Sequence, residues 1–170
     1  SAVDEGMTKE LLVGLDKALD GLEAARRGEG EALMKLFVGM LDEIAATVVT
    51  ATRLAAAQPE LVRERFKVRL SELARDGGVD PDRVLQEAAV LAAKADVREE
   101  LDRLSAHVDG ARKILAAPDA AGRKLDFLCQ EFNREANTLC SKSASLELTN
   151  AGLSLKSVID QFREQVQNVE

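Results

Sequence analysis

Hydrophobic residues recur at every third or fourth position along most of this chain, the spacing that brings them to one face of an α-helix. No Asn-Gly or Asp-Gly turn is flanked by the alternating apolar and polar positions of a β-hairpin. The pattern therefore predicts an all-α protein in which long antiparallel helices pack as helical hairpins or as a bundle.

Glycine and proline set the predicted breaks, which lie at residues 58–59, 76–78 and 117–119. Asp80 precedes Pro81 and is predicted to cap the helix that follows. Gly28 and Gly30 either interrupt the first helix or lie inside a helix that continues through them, and the pattern leaves both readings open. The predicted helices cover about residues 4–27, 31–57, 59–75, 80–116, 122–143 and 147–168.

Apolar seams along several helices are predicted to face inward. In the first helix the seam consists of leucines: Leu11, Leu12, Leu15, Leu19 and Leu22. Another seam steps by four and three residues from Val97 to Leu115, as in paired helices. Seams of this length can also pair between chains, so we expect a homo-oligomer. We divide the chain into a long helical hairpin region (1–80) and a C-terminal helical domain (81–170).

Composition narrows the possible functions. The net charge of −7 argues against a protein whose whole surface binds nucleic acid. The charge is uneven, however, because residues 61–75 carry five basic and two acidic side chains and residues 121–143 carry four and three, so a local RNA surface is possible. The five phenylalanines mostly fall at predicted core positions, which argues against single-strand binding by aromatic stacking.

Several site types have no counterpart in this sequence. It contains no glycine-rich phosphate loop, no Cys/His zinc spacing and no Ser/His/Asp signature. Cys129 and Cys140 lie eleven residues apart on one predicted helix and cannot bond to each other without unwinding it. With no signal peptide or long apolar run in the sequence, we expect an intracellular protein without a membrane segment.

The helix predicted over residues 122–143 carries an unusual polar side. Glu131 and Glu135 lie four residues apart, a spacing at which like charges weaken a helix by a few tenths of a kcal/mol. Two such carboxylates can bridge a hard cation such as Mg²⁺ or Mn²⁺, and Asn133 and Asn137 can bind bases, sugars or phosphates. Alternatively, Arg134 neutralises Glu131 and the amides cap neighbouring helices. The sequence favours neither reading.

Asp96, Glu100, Arg103 and His107 step by four, three and four residues along one predicted helical stripe. Such a set can hold a divalent metal, and His107 can transfer a proton near neutral pH. The pattern alone favours an ordinary solvated helix face, with Glu100 and Arg103 as a routine ion pair.

The basic run over residues 63–75 suits phosphate contacts. A solvated helix surface, with Glu64 and Glu72 as partners of the basic side chains, is the better reading of that pattern.

Three segments resemble the YicC/YloC family of bacterial stress-associated proteins. They are KADVREELDRLSAHV (94–108), GRKLDFLCQEFNREANTLCSKSASLELT (122–149) and REQVQNVE (163–170). The resemblance is dense over residues 81–170, which makes this part a family-signature domain, and looser over residues 1–80. It implies a cytoplasmic bacterial endoribonuclease that cuts RNA, not DNA, with a divalent metal and assembles as a ring-like hexamer. Since family members carry a further N-terminal region, we expect this chain to be part of a longer protein and to be inactive alone if that region supplies ring or RNA contacts.

The resemblance and the residues together give our first hypothesis, a metal-assisted endoribonuclease. Glu131 and Glu135, with Asp126 or Glu100, would bind Mg²⁺ or Mn²⁺, and His107 would be the general acid or base. Six residues are candidates for holding RNA: Arg103, Arg123, Asn133, Arg134, Asn137 and Lys142. The alternatives are a helical RNA-binding adaptor that needs no metal and a purely structural oligomerisation domain.

Overall fold

The computed structural model describes residues 2–75, 80–117 and 121–167. These residues form six helices and no strand, so the all-α prediction is confirmed. The helices are α1 (Ala2–Ala55), α2 (Gln58–Arg75), α3 (Pro81–Lys94), α4 (Arg98–Ala116), α5 (Gly122–Lys142) and α6 (Leu146–Val166). None of the helices in this part of the chain has both the length and the apolar character needed to cross a membrane.

The chain divides into two compact units, Ser1–Val38 and Gly39–Glu170. The first unit belongs to α1, which continues through Gly28 and Gly30 without a break. The leucines predicted to face inward here are exposed, from 50% for Leu19 to 67% for Leu11. That prediction is wrong because helical spacing gathers apolar side chains on one face but does not supply a second element to cover them. The division at residues 80 and 81 stays a prediction.

The second unit has a core built from one face of each of several helices. The seam that begins at Val97 is buried through Leu101, Leu104, Val108 and Ala111, as predicted. The core is completed by side chains of the end of α1 and of α5 and α6: Leu41, Ile44, Val48, Ala51, Leu125, Cys129, Phe132, Ala136, Leu139, Leu148, Leu155, Val158, Ile159, Phe162 and Val166. Burial of this apolar surface is the main force that fixes α4, α5 and α6 against one another.

The helix predicted over residues 80–116 is two helices, so that prediction is wrong at its centre. Asp80 caps α3 as expected, accepting a hydrogen bond from the Asp82 backbone N–H at 3.1 Å. At the break, the Asp96 carboxylate accepts the backbone N–H of Arg98 at 3.0 Å and pairs with the Arg98 guanidinium. A short side chain that bonds to nearby backbone competes with helix formation in this way. Asp96 therefore lies before α4 instead of on the stripe of Glu100, Arg103 and His107.

Helix α2 contacts the turn before α4 and the turn after α5 by hydrogen bonds. The buried Gln58 amide donates to the Ala95 carbonyl at 2.5 Å, and its oxygen accepts the Ala144 backbone N–H. Arg65 donates to the Ala144 carbonyl at 2.5 Å. These contacts fix the start of α4 and the end of α5 relative to α2.

Helices α5 and α6 form a close antiparallel hairpin. Ser145 caps α6 by accepting the Leu148 backbone N–H at 3.1 Å. Further along, a Cβ atom on Gly152 would lie 2.5 Å from the Cys140 Sγ, so the absence of a side chain there is what allows the two helices to approach.

Candidate functional site

A seam of polar side chains crosses the interface between α4 and α5. The two helices are antiparallel, since positions that rise along α4 meet positions that fall along α5. From one end to the other, the facing groups are Glu100 with Lys142, Arg103 with Glu135, and His107 with Glu131 and Glu135. The helical stripe predicted from the sequence thus lies against the glutamate pair predicted on the next helix.

His107, Glu131 and Glu135 form the group at the centre of this seam. Each offers one ligand atom, and these atoms all lie within 4.8 Å of one another. Glu135 is buried, with 3% of its surface exposed, whereas His107 and Glu131 are half-buried. Among the described residues this is the one set of three His, Cys, Asp or Glu side chains close enough to share a metal ion.

The imidazole of His107 packs against an aromatic ring, and one of its nitrogens has no hydrogen-bond partner among the described residues. Its ring meets the ring of Phe132 edge to face, with centroids 5.6 Å apart and planes at 76°. Its Nε2 atom is buried and has no hydrogen-bond partner among the described residues. Because leaving a buried polar atom unpaired costs free energy, such an atom in a folded protein calls for an explanation.

Arg103 fixes the orientation of the buried glutamate. Its Nη1 lies 3.2 Å from the Glu135 Oε1, and its Nη2 pairs with Glu99. Hydrogen bonding to Glu135, together with the charges of Glu99 and Glu135, raises the pKa of Arg103. Arg103 is 47% exposed at its side chain, so it both braces the metal-ligand candidate and reaches solvent.

Glu100 and Lys142 form a second pair beside this group. The Lys142 Nζ lies 2.8 Å from the Glu100 Oε1 and donates to the Asp96 carbonyl at 3.1 Å. The other carboxylate oxygen of Glu100 is buried without a hydrogen-bond partner among the described residues. Lys142, expected to hold RNA, is paired with a buried carboxylate, and its contact with RNA stays a prediction. Glu100 lies outside the group of three donors.

Asp126 and Asn133 face α6 and not α4. The Asp126 carboxylate lies 3.4 Å from the Arg163 Nε and accepts a hydrogen bond from the Gln130 amide at 3.2 Å. Asn133 donates to Asp160 at 3.1 Å. Asn133 thus makes a polar contact between α5 and α6, and Asp126 is not one of the three clustered donors.

The remaining RNA candidates, Arg123, Arg134 and Asn137, are exposed. Within the described parts of the chain, neither arginine has a carboxylate within ion-pair distance, so the Arg134–Glu131 pair considered from the sequence does not form. Phe127 lies between Arg123 and Arg134 on α5 and is 63% exposed, although it was not predicted as a site residue. Its position among polar residues of the same helical face was the signal that could have revealed it.

The basic run on α2 behaves as a solvated helix surface. Arg63 pairs with Glu60 at 3.0 Å and Lys67 with Glu64 at 2.7 Å, all at exposed side chains. Arg65 is engaged with the Ala144 carbonyl. Nothing in this geometry gathers the positive charges toward one ligand.

Comparison with known proteins identifies relatives of this chain. Residues 51–170 match the family model described as "Endoribonuclease YicC-like, C-terminal". The chain is 41% identical over 166 residues to "Probable endoribonuclease YicC" of Haemophilus influenzae, covering 98% of this chain and 57% of that protein. It is 34% identical over 157 residues to the protein of the same name from Clostridioides difficile, covering 92% of this chain and 54% of that protein. The chain thus spans little more than half the length of these curated relatives.

Proposed function

This chain belongs to the YicC-like endoribonuclease family, and from that premise we propose that it carries the metal site of an enzyme that cleaves RNA phosphodiester bonds. In this proposal His107, Glu131 and Glu135 hold one divalent cation. The RNA substrate, the cytoplasmic location and the homo-oligomer, a hexamer by resemblance, belong to the same proposal and concern the whole protein.

The observation that carries the proposal is the cluster of one imidazole nitrogen of His107 with carboxylate oxygens of Glu131 and Glu135, all within 4.8 Å of one another. Ligands about 2.1 Å from one ion lie roughly 3.0–4.2 Å from each other in ordinary coordination geometries. Ligand atoms within 4.8 Å therefore need only small side-chain rotations to share an ion. Two carboxylates and an imidazole also form a donor set that suits divalent metals. A cation bound by the clustered His107 nitrogen would offset the repulsion between Glu131 and Glu135.

A divalent cation at this position would stabilise charge on the phosphate as a Lewis acid and would lower the pKa of the attacking hydroxyl or water. Glu135, braced by Arg103, would hold the cation with a carboxylate of fixed orientation. Glu131 is half-buried and borders the solvent-facing side of α5, where RNA has access. His107 acts in this scheme as a ligand, which replaces the acid–base role expected from the sequence.

Mn²⁺ fits this donor set better than Mg²⁺. Mg²⁺ prefers oxygen ligands and keeps much of its water, whereas a site with one imidazole nitrogen suits a transition metal. We therefore propose Mn²⁺ as the more effective of the two cations.

Cleavage of a labelled single-stranded RNA by the full-length protein tests the proposal. The variant Glu131→Gln/Glu135→Gln should lose at least about a hundredfold in rate, since the cation stabilises charge in the transition state. EDTA should abolish cleavage by the unaltered protein, and Mn²⁺ should restore it. Circular dichroism should show unchanged helical content in the variant.

The matched control is Glu60→Gln/Glu64→Gln, which removes a glutamate pair of the same spacing from the exposed face of α2. This control should cleave at the unaltered rate. Undiminished cleavage by Glu131→Gln/Glu135→Gln would contradict the proposal. RNA binding without cleavage by the unaltered protein, at any metal concentration, would favour the adaptor function instead.

A further inference from the structure

One exposed face of α5 has a composition unlike that of an ordinary helix surface. Its residues step by four, three, four and three positions, so they form one continuous row along the helix. We call this row the α5 stripe; it comprises Arg123, Phe127, Gln130, Arg134 and Asn137, all exposed. The row holds two arginines, two amides, one aromatic ring and no carboxylate.

From this stripe we infer that α5 binds single-stranded RNA, with an unpaired base stacked on Phe127 and flanking phosphates on Arg123 and Arg134. The inference rests on the proposed function and extends it by naming the form of RNA and the residue that positions it. Stacking on an exposed aromatic ring combined with positive charge along the backbone is the usual chemistry of single-strand binding.

The charges of the stripe support a polyanionic partner over a protein partner. Arg123 and Arg134 have no ion pair among the described residues, so their charge is available to phosphates. Asp126, a nearby acid on α5, is paired with Arg163 and accepts a hydrogen bond from Gln130, which limits its repulsion of RNA. In a chain of net charge −7, this exposed row without any acid offers a local site for RNA.

The stripe is also next to the proposed metal site. Phe127 precedes Glu131 by four residues on α5, and side chains at that separation are neighbours with Cβ atoms about 5–6 Å apart. Arg134 follows Glu131 by three residues, a separation that also makes side chains neighbours on a helix. A base stacked on Phe127 would therefore bring its adjoining phosphodiester toward His107, Glu131 and Glu135. A base inside a duplex cannot stack on Phe127, so the stripe selects unpaired RNA.

The test is binding of a fluorescent single-stranded RNA by the full-length protein in EDTA, with a duplex of the same sequence for comparison. EDTA separates binding from cleavage. Phe127→Ala should weaken single-strand binding about tenfold, within the range for one stacked base. Phe127→Trp should bind single-stranded RNA as tightly as the unaltered protein does. Phe127→Leu should bind as weakly as Phe127→Ala because leucine is large but has no π face. Leu153→Ala, at a residue 53% exposed on α6, is the control and should bind normally.

The charged part of the stripe has its own readout. Arg134→Gln should weaken binding and reduce the slope of log affinity against log salt by about one. Lys113→Gln, at an exposed cation of α4, should leave the slope unchanged. Normal binding by Phe127→Ala would overturn the inference, as would binding by Phe127→Leu equal to that of the unaltered protein. A change of oligomeric mass in Phe127→Ala, measured by light scattering, would show that the residue contacts another copy of the chain and would also overturn it.

The experiments distinguish failure of this inference from failure of the proposed function. If the Phe127 variants bind normally while Glu131→Gln/Glu135→Gln abolishes cleavage, the inference fails and the proposed function stands. If the Phe127 variants lose binding but the unaltered protein never cleaves RNA, the stripe stands and the enzyme proposal fails.

Discussion

Two helices of this chain carry glutamates four residues apart, and the two pairs have different surroundings. On α2, Glu60 and Glu64 are more than half exposed, and each pairs with a cation three residues further along the same helix. On α5, Glu131 and Glu135 face another helix, and Glu135 is 3% exposed. Both pairs have the same spacing and a basic residue three positions after the first glutamate.

The difference between the pairs comes from the neighbouring helix. On α2 each cation supplied by the same helix neutralises its carboxylate in water, where such pairs contribute little to stability. On α5 the polar partner is supplied by α4: Arg103 binds Glu135, and His107 lies within 4.8 Å of both carboxylates. The role of a glutamate pair therefore depends on the side chains that face it from a neighbouring helix and not on its spacing.

The largest change in the free energy of unfolding is expected when the cation of a buried ion pair is removed. Lys142→Ala leaves the buried Glu100 carboxylate without its cation and should lower the free energy of unfolding by about 3 kcal/mol. Lys67→Ala, which removes the partner of Glu64 on α2, should change it by at most about 0.5 kcal/mol. Urea denaturation measures both. Equally small decreases in the free energy of unfolding for both variants would mean that Glu100 is as well solvated as Glu64.

Removing one glutamate charge should change the free energy of unfolding by a smaller amount. The sign of this change should differ between the two glutamate pairs. Without metal, Glu131→Gln should raise the free energy of unfolding by about 1 kcal/mol, since two charges within 4.8 Å repel each other. Glu60→Gln should lower it by about 0.2–0.5 kcal/mol because it removes a helical ion pair. Both are measured by urea denaturation in EDTA. A loss of stability in Glu131→Gln would show that the carboxylate is already compensated.

The smallest effect concerns Asp96, at the start of α4. Hydrogen bonding to the Arg98 guanidinium lowers the pKa of Asp96 from 3.8 to about 2. A lowered carboxyl pKa stabilises the folded protein above pH 3.8, and this contribution is lost as the pH falls through about 2. Asp96→Asn keeps an oxygen for the Arg98 backbone N–H but removes the charge. In thermal melts the unaltered protein should have a higher melting temperature than the variant at pH 5, and the difference should disappear as the pH falls below about 2. A difference that does not change with pH would count against the assigned pKa.

Much of the fold followed from the sequence. The helix over residues 122–143, the apolar seam from Val97 and the cap at Asp80 all depend on local spacing and were predicted. The break at residues 95–97 was missed because it depends on one side chain, Asp96, bonding to nearby backbone. The burial of Leu11 and Leu19 was wrongly predicted because periodicity says which side chains share a face and not whether anything covers it.

The candidate site was predictable by residue but not by geometry. His107, Glu131 and Glu135 could be selected for their chemistry, yet only the antiparallel register of α4 and α5 brings them together. That register depends on packing far along both helices, which no local motif encodes. The exposure of Phe127 was not predicted because most phenylalanines of the chain fall at core positions, although the neighbours of Phe127 on the same helical face are polar.

Calorimetric titration of Mn²⁺ into the metal-free, full-length protein determines whether His107, Glu131 and Glu135 hold one divalent cation. We expect one cation per chain for the unaltered protein and for Glu60→Gln/Glu64→Gln, and none for Glu131→Gln/Glu135→Gln. Binding of Mn²⁺ by that last variant with unaltered affinity, or no binding by the unaltered protein, would contradict the proposed metal site.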